Sequence, residues 1–404
     1  MAIQTTSNLS NSVTTRYTTK FQRAAELVRL YDQLAMPVSA PQFELETRRG
    51  LGSTYTFNFV SDMTPGTTAI SETADIAPQI LRDATSTITP TSRGEALKWS
   101  QLLDLSVYTD YVAARFEALG KNMMETVDNQ AKAAALQGSL VRRAANTTTR
   151  AGLDAGTTTH NWTEAEIWAA VSTAESLKLP PFVSPSGMRS LLAIAHSDAY
   201  YDLFHQGNVV SAAIYQAKEI LFNGELGMIA NCRLIISPFA KVFGAAGAAN
   251  GSNANYTTSA AANALDKTVS VTTGTNNTAG RLLLMGTIET GNTHYDDNER
   301  VKVVSGTTTA TIVGEGANGG LRFDHASGVS FDNHDHVYPV AYGSPSSLVK
   351  VFAEEVGEFG EVVGPIKDGL AEQWTSIAYK WFGGYGRIGE NRIFRGEYSS
   401  SLDA

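Results

Sequence analysis

Between residues 104 and 138 apolar side chains recur every three or four positions, with no proline among them: Leu105, Tyr108, Val112, Phe116, Leu119, Met123, Val127, Ala131 and Ala134. That spacing predicts one amphipathic helix, a rod of about 50 Å at about 1.5 Å per residue. A rod of this length is unusual inside a globular core. The rest of the chain must therefore run along it or project from it.

The flanking segments divide by pattern. Residues 1 to about 20 are rich in Ser, Thr and Asn and nearly aperiodic, an arm that orders only against a partner. A short helix follows, with Phe21, Ala24, Ala25, Val28, Tyr31 and Leu34 on one face, and Pro37 ends it. From residue 41 to 102 the pattern is extended. Tyr55, Phe57 and Phe59 alternate with Thr54, Thr56 and Asn58, residues 63–66 are a turn signal, and a second run over 85–99 returns. This predicts a long two-stranded projection, which cannot bury itself and needs a neighbour.

Beyond the long helix, Thr163 and Glu166 form a capping box opening a helix that stops before Pro180 and Pro181. A strand over 191–195, a helix over 209–222 and a strand over 233–236 read as an α/β region. Residues 244–336 break the alternation. Gly, Ala, Asn and Thr linkers lead into short strands at 268–272, 281–290, 300–304 and 308–313, a small all-β insert. The chain closes with strands over 348–354, 374–382 and 391–398.

Only 18% of the 404 residues are charged, a surface that buries cheaply against copies of itself. The net charge of -9 argues against an electrostatic reader of nucleic acid. The single cysteine, Cys232, sits in an apolar run, reads as core, and fits a reducing compartment. No apolar stretch is long enough for a membrane span, and the N-terminus lacks the order of a signal peptide, so synthesis and residence in a cytoplasm are expected. The triplets at Asn146 and Asn161 then count as accidents of composition rather than glycosylation sites.

Candidate chemistry is sparse. Gly314, Gly316 and Gly319 spell GxGxxG after a strand, but no helix follows to present its N-terminus to a phosphate, so a glycine hairpin is the better reading. His294, His325, His334 and His336 lie in the insert. His334 and His336, with Asp332 nearby, are weak metal candidates on one strand face, and solvated hairpins account for the same residues. No hydrolase, metalloprotease or nucleotide-loop motif occurs, so neither catalysis nor a cofactor is expected.

The order of arm, extended hairpin, long helix, α/β region and late strands resembles the major capsid proteins of tailed bacteriophages, whose fold is shared with herpesvirus shells and encapsulins. Residues Gly224-Glu-Leu-Gly227 after Leu221-Phe222, the stretch from Val337 to Gly343, and the strand from Gln373 to Trp381 are similar to one family of podophages with a large virion polymerase. The resemblance implies an α+β fold with seven parts. These are an N-terminal arm and short helix (1–40), an extended loop (41–102), a peripheral domain with spine helix (103–179), an axial domain (180–243) with a return (337–350), an all-β insertion domain (244–336), and peripheral strands (351–404). It implies a structural subunit closing into hexamers and pentamers of an icosahedral head around double-stranded DNA. A scaffolding protein, a portal and a decoration protein are the expected partners. Tyr55, Phe57, Phe59, Phe21 and Val28 are the expected assembly contacts. A secreted β-rich adhesin or carbohydrate-binding protein, suggested by the insert, and an encapsulin-like compartment are the alternatives. Finally, some capsids of this fold are welded by lysine to asparagine bonds at the extended loop, yet no lysine occurs here between Lys20 and Lys98.

Overall fold

The computed structural model describes residues 30–39, 54–66, 78–106, 111–153, 157–179, 181–183, 189–205, 225–249, 255–272, 282–287, 297–306, 308–332, 334–344, 347–352, 360–369, 373–387 and 389–403. The short helix expected from residue 21, the helix over 209–222 and the Gly224 motif lie outside or largely outside them. Two units emerge. The first holds Ala35–Val127 and Leu348–Gly389 of the described chain, the second Leu30–Leu34, Asp128–Ser347 and Glu390–Ala404.

In the first unit, the strand Trp374–Arg387 is the centre of a five-stranded sheet. It pairs antiparallel with Thr91–Ser100, Glu361–Asp368 and Leu348–Phe352, and Ala35–Ser39 joins the last of these in parallel. Sequence pattern missed Glu361–Asp368 because Pro365 cannot donate to a ladder. A register shift between Val363 and Ile366 accommodates it.

The helix Tyr111–Leu136 packs its early turns on this sheet. Phe116, Leu119, Met123 and Met124 meet Trp99, Ile377 and Tyr379, and Val362 packs on their edge. The apolar period selects Phe116, Leu119 and Met123 of these, and Met124 lies beside them. The 26 residues of Tyr111–Leu136 make about 39 Å. Gln101–Ser106 is also helical, and its Leu102 and Leu105 are exposed.

A hairpin leaves this sheet. Tyr55–Val60 and Asp83–Ile88 pair antiparallel from Tyr55 opposite Ile88 to Val60 opposite Asp83. The returning run is thus two strands, not one. Thr89 and Pro90 divide it, because proline has no N–H for the ladder, and Thr91–Ser100 belongs to the sheet. Hence the projection ends before residue 91, well short of 102.

The second unit is built on an eight-stranded sheet in the order Val141–Arg143, Phe394–Tyr398, His334–Gly343, Arg189–Ala195, Cys232–Ile236, Glu225–Ile229, with Phe243–Ala249 and Phe182–Val183 added at its sides. Leu191, Ile194, Leu234 and Ile235 are buried, as a central two-sided strand pair requires. Residues 128–179 and the C-terminal strand Phe394–Tyr398 go with this sheet, while Leu348–Phe352 goes with the other. The helix Glu164–Ser176 begins at Thr163, whose hydroxyl accepts from the Glu166 amide at 3.3 Å. Only half the capping box forms, since Glu166 turns to Arg142 and to the Ala145 amide instead.

The insert is narrower than composition suggested. The Ala/Gly run Phe243–Ala249 is a strand paired with His334–Gly343, and Ala249 stands opposite His334. Small side chains read as linker, but tertiary pairing overrides their weak strand preference.

Between those positions lies a six-stranded sheet in the order Asn255–Thr257, Ser330–Asp332, Leu282–Gly286, Glu299–Ser305, Thr309–Val313, Thr268–Ser270. Its two ends meet. Thr258 bridges Val271, the Ser259 amide donates to Ser270, and the Thr272 amide donates to Thr257. The sheet is therefore a closed barrel, filled by Val269, Leu283, Met285, Val301, Val303, Ile312, Leu321 and Phe331.

Candidate assembly surfaces and buried polar clusters

The hairpin has a buried root and an exposed end. Along Tyr55–Val60 the odd positions are half-buried and the even ones exposed, the alternation the sequence predicts. Tyr55 and Phe57 pack on Ile88, Val349 and Val351 of the same chain. Gly386 is what lets Ile88 in, because a Cβ there would stand 2.3 Å from the Ile88 side chain. The Ser86 hydroxyl donates to the Arg387 carbonyl at 3.1 Å and fixes the same approach. Tyr55 and Phe57 are thus partly buried against the chain's own core, and Phe59 is half-buried further out. Phe21 and Val28 lie outside the described residues.

Past the ladder the two arms stay tied. The Ser61 amide donates to the Arg82 carbonyl at 2.7 Å, and the Thr64 amide to Gln79 at 2.9 Å, with the Gln79 amide returning the bond to the Thr64 carbonyl. This stretch carries Val60, Met63, Ile80 and Leu81, each more than half exposed, with Ile80 at 90%. A ribbon two strands wide has no interior in which to hide them. Sequence reasoning named the aromatics of the root and passed over these aliphatics, which have no alternation to mark them.

Three buried polar clusters hold the second unit. Asp128, on the long helix, accepts the amides of Leu30, Tyr31 and Asp32 at 3.1, 2.9 and 3.2 Å, all on one oxygen. Tyr31 and Leu34 are buried beside it, and the Lys132 amine lies over the Tyr31 ring. Burial raises the Asp128 carboxyl to about 6, although Lys132 and the three amides pull the other way.

Glu397 is fully buried between guanidiniums: Arg143 at 2.8 Å, Arg150 at 2.9 Å and Arg395 at 3.0 Å. Burial alone would raise its pKa. The charges of Arg150, Arg395 and Arg143 outweigh that and hold it below the ordinary glutamate value. Arg395 also donates to the Leu136 carbonyl at the end of the long helix, where a cation meets the negative end of the dipole.

The third cluster closes one end of the barrel. Glu299 points inward, accepting the Arg322 amide at 2.7 Å and the Phe323 amide at 3.3 Å, and its Oε1 lies 2.7 Å from His325 Nε2. His325 is therefore not the solvated hairpin residue its sequence context suggests. Beside it, Glu315 accepts the Arg300 amide, and burial raises its pKa.

His336 is buried in the eight-stranded sheet rather than in the insert. Asp332 ends a barrel strand while His334 begins a strand of the other sheet, and the side chains of both lie outside the described residues. Among the described residues no three His, Cys, Asp or Glu side chains gather to hold a metal ion. The Gly314 to Gly319 loop spends its amides on itself: Gly314 donates to Gly319, Gly316 to Gly320 and Gly319 to Gly316. Its Gly316 is needed because a Cβ would meet the Leu321 carbonyl at 2.2 Å. Cys232 is buried and unbridged, and burial pushes its thiol up. Among the described residues no helix is long and apolar enough to cross a membrane.

No family model matches the chain, and no curated protein is similar to it. Solved structures do match. The chain aligns with a chain of the cyanophage Pam1 capsid asymmetric unit over 91% of its length and 89% of that chain, at 11% identity and a TM-score of 0.53. With the capsid of Ralstonia phage GP4 the figures are 91%, 87%, 10% and 0.52. With the capsid of the cyanophage P-SCSP1u they are 92%, 88%, 12% and 0.50. The likeness is one of fold, and it spans both units: the chain has the α+β fold of these phage capsid chains.

Proposed function

We propose that this chain is the major capsid protein of a tailed bacteriophage, a structural subunit and not an enzyme, that joins copies of itself into an icosahedral shell around double-stranded DNA. The observation that carries the reading is the hairpin. A capsid-type fold here extends a two-stranded ribbon whose Val60, Met63, Ile80 and Leu81 are exposed, and another copy of the chain is the partner that would cover them. Each such side chain gains about 1.5–3 kcal/mol on full burial, repeated at every subunit of a closed shell. Hexamers and pentamers, a scaffolding protein, a portal and a decoration protein belong to the same proposal as the finer partners of the subunit. An acidic chain with a net charge of -9 can enclose DNA without adhering to it.

Electron microscopy of the purified protein, alone and co-expressed with its phage's scaffolding protein, is expected to show shells or rings of five and six. A monomer that stays monomeric at every concentration in both preparations overturns the proposal.

A further inference from the structure

We propose that residues 250–333 form a self-contained module whose removal leaves the rest of the second unit folded, and that Arg300 is the bolt that fixes the module on that unit. The module's two ends are already together. Ala249 and His334 are ladder partners, so their Cα atoms lie about 5 Å apart, a gap that a two-residue turn spans. Between them the barrel closes on itself through the bridge from Thr258 to Val271, and its core draws only on residues 262 to 331. Its inward carboxylate is also satisfied from within, because Glu299 takes its partners from Arg322, Phe323 and His325.

Glu299 and Arg300 are neighbours on one strand and so point to opposite faces. Where Glu299 closes the barrel, Arg300 reaches out of it. Its guanidinium pairs with the Asp198 carboxylate at the start of helix Ser197–His205 and lies 3.3 Å from the Tyr338 hydroxyl, which itself donates to Asp198 at 3.3 Å. Bonds of this kind orient a module and leave groups that water can solvate when they part. They differ from a shared apolar core, whose loss would unfold both sides.

The single cysteine supplies the readout, since Cys232 is buried in the eight-stranded sheet and not in the barrel. One variant replaces residues 250–333 with Asn-Gly. Its Cys232 is expected to stay as unreactive toward a thiol reagent in native buffer as in the full chain, and to react once denatured. Reaction in native buffer at the denatured rate overturns the module. In the full-length Arg300→Ala variant, amide exchange at residues 198–200 is expected to quicken by about tenfold, while Val301 and Ile312 in the barrel keep their protection. No change at 198–200 removes Arg300 as the bolt, and faster exchange at Val301 and Ile312 shows that the barrel depends on its docking. Both readouts are on the isolated subunit, so neither rests on shell formation.

Discussion

Asp128 places a carboxylate where the fold would rather have a neutral group. Its folded pKa of about 6 stands above the ordinary value of 3.8, so the folded state binds this proton more tightly than the unfolded one. The sign follows: this contribution to stability is complete below pH 3.8 and is lost as pH rises through about 6. That difference corresponds to roughly 3 kcal/mol. Because other carboxylates act oppositely in acid, the expected result is a difference. Between about pH 4 and pH 6.5, Asp128→Asn should flatten the part of the unfolding free energy that falls with rising pH in the native chain. Glu397→Gln is a simpler case. It leaves Arg395 buried without its counter-charge, and chemical denaturation should show a loss of about 3–5 kcal/mol. Single residues were unevenly legible. Cys232 announced its burial through its apolar neighbours, whereas the pairing of Glu299 with His325 joins positions that only barrel closure brings together.

At the scale of elements, periodicity found what one face of burial dictates. The helix core from Phe116 to Val127 and the alternation from Tyr55 to Phe59 were both readable, because each has a single packed side. Boundaries and partners were not. Thr91–Ser100 continues the hairpin in sequence yet pairs with Trp374–Arg387, and no local pattern says so. The division of the hairpin into root and exposed end gives a paired prediction. Phe57→Ser, at the root, should lower the subunit's own stability by about 1–2 kcal/mol, read by thermal denaturation. Ile80→Asp with Leu81→Asp, at the exposed end, should leave that transition within about 0.5 kcal/mol per site and abolish shells in the microscope. A double variant that still assembles would place the copy-to-copy contact elsewhere.

For the whole molecule, the order of parts rests on the resemblance, and the two units cut across that order. The long helix contributes to both units, the C-terminal strand Phe394–Tyr398 lies in the second, and Phe243–Ala249 pairs with His334–Gly343. Residue order alone cannot reveal such crossings, because strands far apart in sequence decide them. The lysine pattern bears on how copies would be held together. Lys98 is not at the end of the hairpin but in the sheet, 2.9 Å from Asp368, whose pKa its hydrogen bond lowers. No lysine lies between it and Lys20 to weld the loop to a neighbour. Mature particles boiled in denaturant should therefore run as a single band near 43.2 kDa, and a ladder of multiples would show a covalent weld.

The closed barrel has a consequence for crowding. In the proposed shell, copies fixed side by side would meet at an effective concentration in the millimolar range, where an open sheet edge rich in Thr and Val would recruit the edge next to it and polymerise. By joining Thr257 and Ser259 to Thr272 and Ser270, the barrel spends the backbone groups that such a chain reaction would need. A β-domain of this composition can then be packed at high density and still keep to itself.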